Sequence, residues 1–206
     1  MKISVYYDLV CPWCYLGHAR LTSALAAYPA DGVAVDWRPF QLAPDLDHEV
    51  TKDAYYRQRG MDPEAMRRVH KRIVELGKPL GLAFDFGRTD RIANTLDAHR
   101  LVAWAPADRR ADVVEALFRG YFVDGMSLAR TQDLVTVAQR CGLGTTDDVT
   151  RFLESGELAD TVRAQVKEAY TLPIITVPYI VVNNRFPVQF THLEGVAELA
   201  LRNLWT

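Results

Sequence analysis

Cysteine is scarce in this chain: there are three in 206 residues. There is no second cysteine pair to complete a four-ligand zinc site, so no metal site is expected. Charge of one sign is also lacking. The formal net charge of -2 argues against nucleic acid or an anionic membrane as the main partner. No apolar run approaches the ~18 residues of a membrane span. The start of the sequence has no secretory pattern, because Met1-Lys2 leads into a run holding Ser4 and Asp8. A cytoplasmic protein is therefore expected. There, stable structural disulfides are uncommon and a dithiol pair is more often catalytic. Internal repeats and low-complexity stretches are missing too.

What the chain does have is Cys11-Pro12-Trp13-Cys14. Before it, Ile3, Val5 and Tyr7 alternate with Ser4 and Tyr6, the pattern of a half-buried strand. After it, Leu16, Ala19, Ala24 and Leu25 follow a helical period. The two thiols thus stand where a strand turns into a helix. Pro12 suits the first helical position, since its missing N–H would be unbonded there. Cys11 is then the capping residue, facing free N–H groups and the positive end of the helix dipole. Such a setting favours a thiolate over an ordinary thiol near ~8.5. Cys14 lies on the same helix face, within reach of a disulfide. The pair reads as an exposed nucleophile, Cys11, with a resolving partner, Cys14, as thiol–disulfide exchange needs. Two buried, unrelated cysteines are the bland alternative. Cys11, Cys14 and His18 as part of a zinc site are another. Cys141 falls on the stripe Leu134, Val137, Ala138 and reads as a small core residue, with Gly142 as a helix C-cap.

Along the chain, Asp31-Gly32 marks a turn before a second strand at Val33, Val35 and Trp37, and Pro39 and Pro44 end it. From Thr51 to Ala169 the pattern is almost wholly helical. One helix begins at Asp62-Pro63, and others cover about 94–104, 109–123, 131–141, 147–153 and 158–169. Tyr179 to Val182 is then a short apolar strand. Asn183-Asn184 suits a two-residue hairpin turn, and Arg185 to Gln189 returns with Pro187 at an edge. A capping box at Thr191 and Glu194 opens a last helix burying Leu193, Val196, Ala197, Ala200 and Leu204. The order β-α-β, helices, β-β-α predicts an α/β fold with a helical domain inserted between two halves of one sheet. The boundaries are 1–45 with 170–206 for the sheet domain and 46–169 for the insertion.

The chain resembles the DsbA-like thioredoxin-fold oxidoreductases, and within them the cytoplasmic FrnE-like group. The resemblance rests on Asp8-Leu9-Val10-Cys11-Pro12-Trp13-Cys14-Tyr15-Leu16-Gly17. Asn94-Thr95, Ala98-His99-Arg100, Leu117-Phe118-Arg119, Tyr121-Phe122 and Val177-Pro178-Tyr179 extend it. It implies a thioredoxin fold and a cis Pro178 facing the dithiol, with the Val177 backbone open to a substrate chain. It also suggests that Asn94 faces the cleft. Trp13, between the cysteines, is expected to be exposed contact surface, with Pro12 beside it in substrate binding. The chain departs from the family at Thr176, where glycine is usual, at Pro173-Ile174-Ile175, and at Gln189-Phe190-Thr191-His192. These departures leave room for a small substrate.

The sequence therefore predicts a dithiol–disulfide oxidoreductase whose partners are protein or small-molecule thiols and disulfides, as monomer or homodimer. No cofactor beyond the Cys11–Cys14 couple is called for. A low-molecular-weight thiol is an admissible co-substrate. Two alternatives share the fold: a glutathione-dependent, kappa-type isomerase or transferase, and a natural-product tailoring enzyme. Relatives in the first tend to have serine where Cys11 stands, which counts against it. A chaperone-like module ranks last, because no run of exposed apolar residues is evident. Two readings stay open for each histidine of interest. His99 is a bonded structural residue or a proton carrier in the cleft. His18 either tunes the thiols or is solvated.

Overall fold

A computed structural model describes residues 1–27 and 32–188. Strand β1, Lys2–Tyr7, leads into α1, Pro12–Ala27, and β2 follows at Ala34–Pro39. Both faces of β1 are covered: Ile3, Val5 and Tyr7 are buried on one side and Ser4 on the other. Strand β2 pairs parallel to β1, with Val5 beside Trp37. It runs one residue further than the prolines suggested. Pro39 closes it at an edge, where a missing donor costs no ladder bond.

The middle of the chain is helical, as the periodicity predicts. A two-residue strand β3, Val50–Thr51, precedes α2, Lys52–Gln58, and α3, Pro63–Gly77. The Asp62 carboxylate caps α3 by accepting from the N–H groups of Glu64 and Ala65, both at 3.0 Å. Strand β4, Arg91–Ile92, pairs with β3 as a small separate ladder. Helices α4, Leu96–Trp104, α5, Arg110–Phe122, α6, Thr131–Arg140, α7, Thr146–Ser155, and α8, Ala159–Tyr170, complete the set. Gly142 takes a positive φ after α6, the C-terminal turn expected there. Cys141, just before it, is buried, and its thiol faces the Asp112 carbonyl oxygen at 3.8 Å. Buried Arg100 ties α4 to the end of α7 by donating to the carbonyls of Phe152, Leu153 and Glu157.

The chain then returns to the sheet. Strand β5, Tyr179–Val182, pairs antiparallel to β1, and β6, Phe186–Val188, pairs antiparallel to β5. Asn183 and Asn184 turn between them with φ of 50° and 56°. The sheet order is β2-β1-β5-β6, so Pro187 sits on an edge strand. The predicted capping box at Thr191, the final helix and the 189–192 departure lie outside the described residues. One continuous apolar core runs from β1 and α1 through α5 and α6 to β5.

Candidate active site

The dithiol stands at the junction of β1 and α1. The backbone turns there because Cys11 N–H donates to the Asp8 carbonyl oxygen at 3.0 Å. The Cys11 carbonyl then accepts from Cys14 N–H at 3.0 Å and Tyr15 N–H at 3.3 Å, the opening bonds of α1. Cys11 is thus the residue before the first helical turn, and Pro12 takes the first position. No bond joins the two sulfurs in this structure.

Burial differs from the sequence expectation. Cys11 is not an exposed residue: 5% of its surface is open, against 2% for Cys14. The cover comes from the far end of the chain. The Val177–Pro178 bond is cis, and the Cys11 thiol donates to the Val177 carbonyl oxygen at 3.5 Å. Val177 is itself buried, whereas Ile175, two residues earlier, is 94% exposed. Trp13 is not fully exposed either. It is half-buried and packs against the core, and Pro12 is half-buried too. A sequence pattern cannot reveal this, because the cover belongs to distant segments.

Cys14 lies deeper, and its thiol is pushed well above the ordinary range. Burial is the main cause, followed by the hydrogen bond to Cys11. The Asp8 backbone N–H acts in the opposite sense, and the Asp8 carboxylate raises the value further. Cys14 is therefore a protonated thiol at neutral pH.

Asp8 was not singled out as a site residue, yet its side chain is fully buried beside the dithiol. Its carboxylate accepts from Leu42 N–H at 2.6 Å and from the Thr95 hydroxyl at 2.8 Å, and His99 Nε2 lies 3.5 Å away. An acidic residue at the end of an apolar strand was the available signal. A buried carboxylate so placed has to be held by donors, and here they come from three other segments.

His99 is buried and bonded. Its Nε2 faces the Phe40 carbonyl oxygen at 3.2 Å as well as Asp8, and its ring meets Tyr7 edge-on at 5.1 Å. His18 is not solvated. It is buried against Trp37 and pairs through Nε2 with Glu115 at 3.0 Å. Tyr15 also donates to Glu115, at 2.9 Å, so this carboxylate fastens two residues of α1 to α5. Asn94 is half-buried, with its polar atoms used within the chain. It accepts from Gln41 Nε2 at 2.7 Å and Leu96 N–H at 2.9 Å, and donates to the Pro44 carbonyl at 2.7 Å. It caps the entry to α4 and pins the loop after β2.

The sheet, the strand-to-helix dithiol and the cis-proline loop against it define a thioredoxin-type redox fold. Residues 2–200 match the DSBA-like thioredoxin domain, and the chain belongs to that family. Among solved structures it is similar to the probable DsbA oxidoreductase SCO1869 of Streptomyces coelicolor. Identity is 31% and the TM-score 0.86, covering 100% of this chain and 90% of that one. The cytosolic disulfide reductase DsbM of Pseudomonas aeruginosa, solved with GSH, shares the fold at a TM-score of 0.69 and 19% identity. That match covers 98% of this chain and all of that one. The uncharacterized protein YwbO of Bacillus subtilis is 24% identical over 189 residues, 89% of this chain and 88% of its own length. Among the described residues no helix is long and apolar enough to cross a membrane.

Proposed function

We propose that this protein is a thiol–disulfide oxidoreductase working through Cys11 and Cys14. The observation that carries the reading is the asymmetry of the two sulfurs. Cys11 holds the more open position, at the helix start and against the Val177 carbonyl, while Cys14 lies beneath it as a protonated thiol. In the reducing direction the Cys11 thiolate attacks a substrate disulfide, and one substrate sulfur leaves as a thiolate that takes a proton from solvent. Cys14 then gives up its proton and attacks Cys11. The second substrate thiol is released, and a Cys11–Cys14 disulfide remains. Asp8, a fully buried carboxylate that acts on the Cys14 thiol, is the group we assign to receive that proton. The oxidising direction is the same path reversed.

Pro178 and Val177 would position the partner, with Pro12 and Trp13 as contact surface and Asn94 shaping the loop behind. The redox part would be the thioredoxin-like portion, 1–45 and 170–206, with 46–169 as helical insertion. FrnE-like membership and a cytoplasmic setting are the finer placement we favour, on the Asp8-to-Gly17 motif. A low-molecular-weight thiol fits as co-substrate; the structure of DsbM with GSH supports that choice.

The test is trapping. A Cys14→Ala variant should hold a substrate as a stable mixed disulfide at Cys11, while Cys11→Ser should neither trap nor exchange. Undiminished turnover of a small disulfide by Cys11→Ser would remove the proposal.

A further inference from the structure

A cavity of about 730 Å³ opens beside α2 and α3 and the loop before β4. Tyr56, His70, Phe84 and Phe86 form its wall. Phe86 stacks on His70 at 4.1 Å and 3°, and lies parallel to Phe84 at 5.6 Å. The volume is that of a small-ligand pocket.

Lys52 also lines this cavity, although only 7% of its surface is open. Its amine donates to the Thr89 carbonyl and lies over the rings of Phe86, Tyr121 and Phe122, at 5.0, 5.3 and 5.9 Å. Among the described residues no carboxylate pairs with it. Of the acids lining the cavity, Asp53 and Asp85 are engaged elsewhere, while Asp90 acts on the Lys52 charge without pairing with it. Asp53 holds Arg67 at 3.1 Å, and Asp85 accepts from the N–H groups of Gly87 and Arg88. Burial brings the Lys52 ammonium down to about 7, with Asp90 opposing the shift. His70 from α3 is held down to about 4, chiefly by its own burial, so it is neutral beside Lys52 at pH 7. A desolvated lysine amine of this kind is a nucleophile.

We propose that Lys52 is the imine-forming residue of a small-molecule site in this cavity, and that its ligands are flat aromatic aldehydes. The amine nitrogen forms a bond to the carbonyl carbon, and the amine proton moves to the carbonyl oxygen. The resulting carbinolamine loses water to leave C=N. One water is released, no electrons are exchanged, and no further reactant is needed. The aromatic wall of Tyr56, Phe84 and Phe86 favours a flat apolar body. The narrow access to Lys52, with 7% of its surface open, favours an aldehyde carbon over the more substituted carbon of a ketone. This site is independent of the dithiol.

Reductive trapping tests it. The full chain is treated at pH 7 with benzaldehyde and sodium cyanoborohydride, and adducts are mapped by peptide mass spectrometry. Lys52 should be captured at least about tenfold faster than exposed Lys78 and Lys167, because an ordinary lysine near ~10.4 stays charged. Its capture should level off above neutrality while theirs keeps rising. Lys52→Arg should lose this adduct alone. Val74→Trp, which fills the cavity and leaves the amine, should slow capture at Lys52 by a similar factor, with folding checked by circular dichroism. Capture of Lys52 no faster than of Lys167 would overturn the proposal, whatever the variants do. Undiminished capture in a folded Val74→Trp protein would overturn it as well.

Discussion

The Cys11 sulfur sits 3.5 Å from the carbonyl oxygen of Val177, a residue 166 positions further along the chain. That contact joins the first helical turn to the loop before β5. Cys14 lies beneath, more deeply buried, with its thiol pushed up first by burial and then by Cys11. The third cysteine, Cys141, is raised too, by burial and by the nearby Asp112. Iodoacetamide at neutral pH should therefore alkylate Cys11 first, with Cys14 and Cys141 lagging until the protein is unfolded. Peptide mapping over a time course reads the order. Modification of Cys14 or Cys141 ahead of Cys11 would contradict the assignment of nucleophile and resolving partner.

Asp8 has two separable roles, and its variants distinguish them. Its carboxylate is fully buried and held by Leu42 N–H, the Thr95 hydroxyl and His99. Asp8→Ala strands those donors and should cost about 3 kcal/mol in urea unfolding. Asp8→Asn keeps a polar group of the same shape but removes the charge. The Cys14 thiol should then titrate lower, since the carboxylate is one of the groups that raise it. Thiolate absorbance in a Cys11→Ser background measures this. A Cys14 titration that does not move, or that moves up, would remove Asp8 from the redox centre.

What the sequence reveals follows the range of the forces involved. The β1–α1 junction, the Asp62 cap and the Asn183-Asn184 turn are local events, decided by a few adjacent residues, and each is placed as the residues predict. The β3–β4 ladder is two residues long, too short to leave a period, and it escapes notice within a helical stretch. Asp8 is the instructive miss. An acid among apolar neighbours is its one local sign, and the donors that explain it arrive from Leu42, Thr95 and His99. The burial of His18 has the same cause, because α5 and β2 supply its cover.

The dithiol helix depends on α5 for its position. Tyr15, the residue after Cys14, stacks on Phe118 at 5.1 Å and 13° and on Phe122 at 6.0 Å. Phe118 is fully buried and also meets Tyr7 of β1 and His18 of α1. Phe118→Ala leaves a cavity under both elements that carry the dithiol. It should cost about 3–5 kcal/mol in equilibrium unfolding. Phe186→Ala, at a half-exposed edge position, should stay within about 0.5 kcal/mol of the parent. Equal costs for the two would mean that α1 does not lean on α5 as described.

His70 gives the fold a dependence on pH with a definite sign. Its imidazole stacks on Phe86 and faces the Tyr56 hydroxyl at 3.1 Å. Burial, aided by Lys52 and Arg67, lowers it from 6.5 to about 4. Between those two values the unfolded chain binds a proton that the folded chain refuses, so stability rises with pH there. The contribution is complete above about 6.5 and is lost as pH falls toward 4. Solvent reaching the half-buried ring reduces its size to about 1–2 kcal/mol. His70→Phe keeps a ring against Phe86 and cannot titrate. The stability difference between parent and variant, from urea unfolding at pH 7, 5.5 and 4, should therefore shift in favour of the variant as pH falls. A difference that stays constant over this window would show that the histidine is protonated equally in both states.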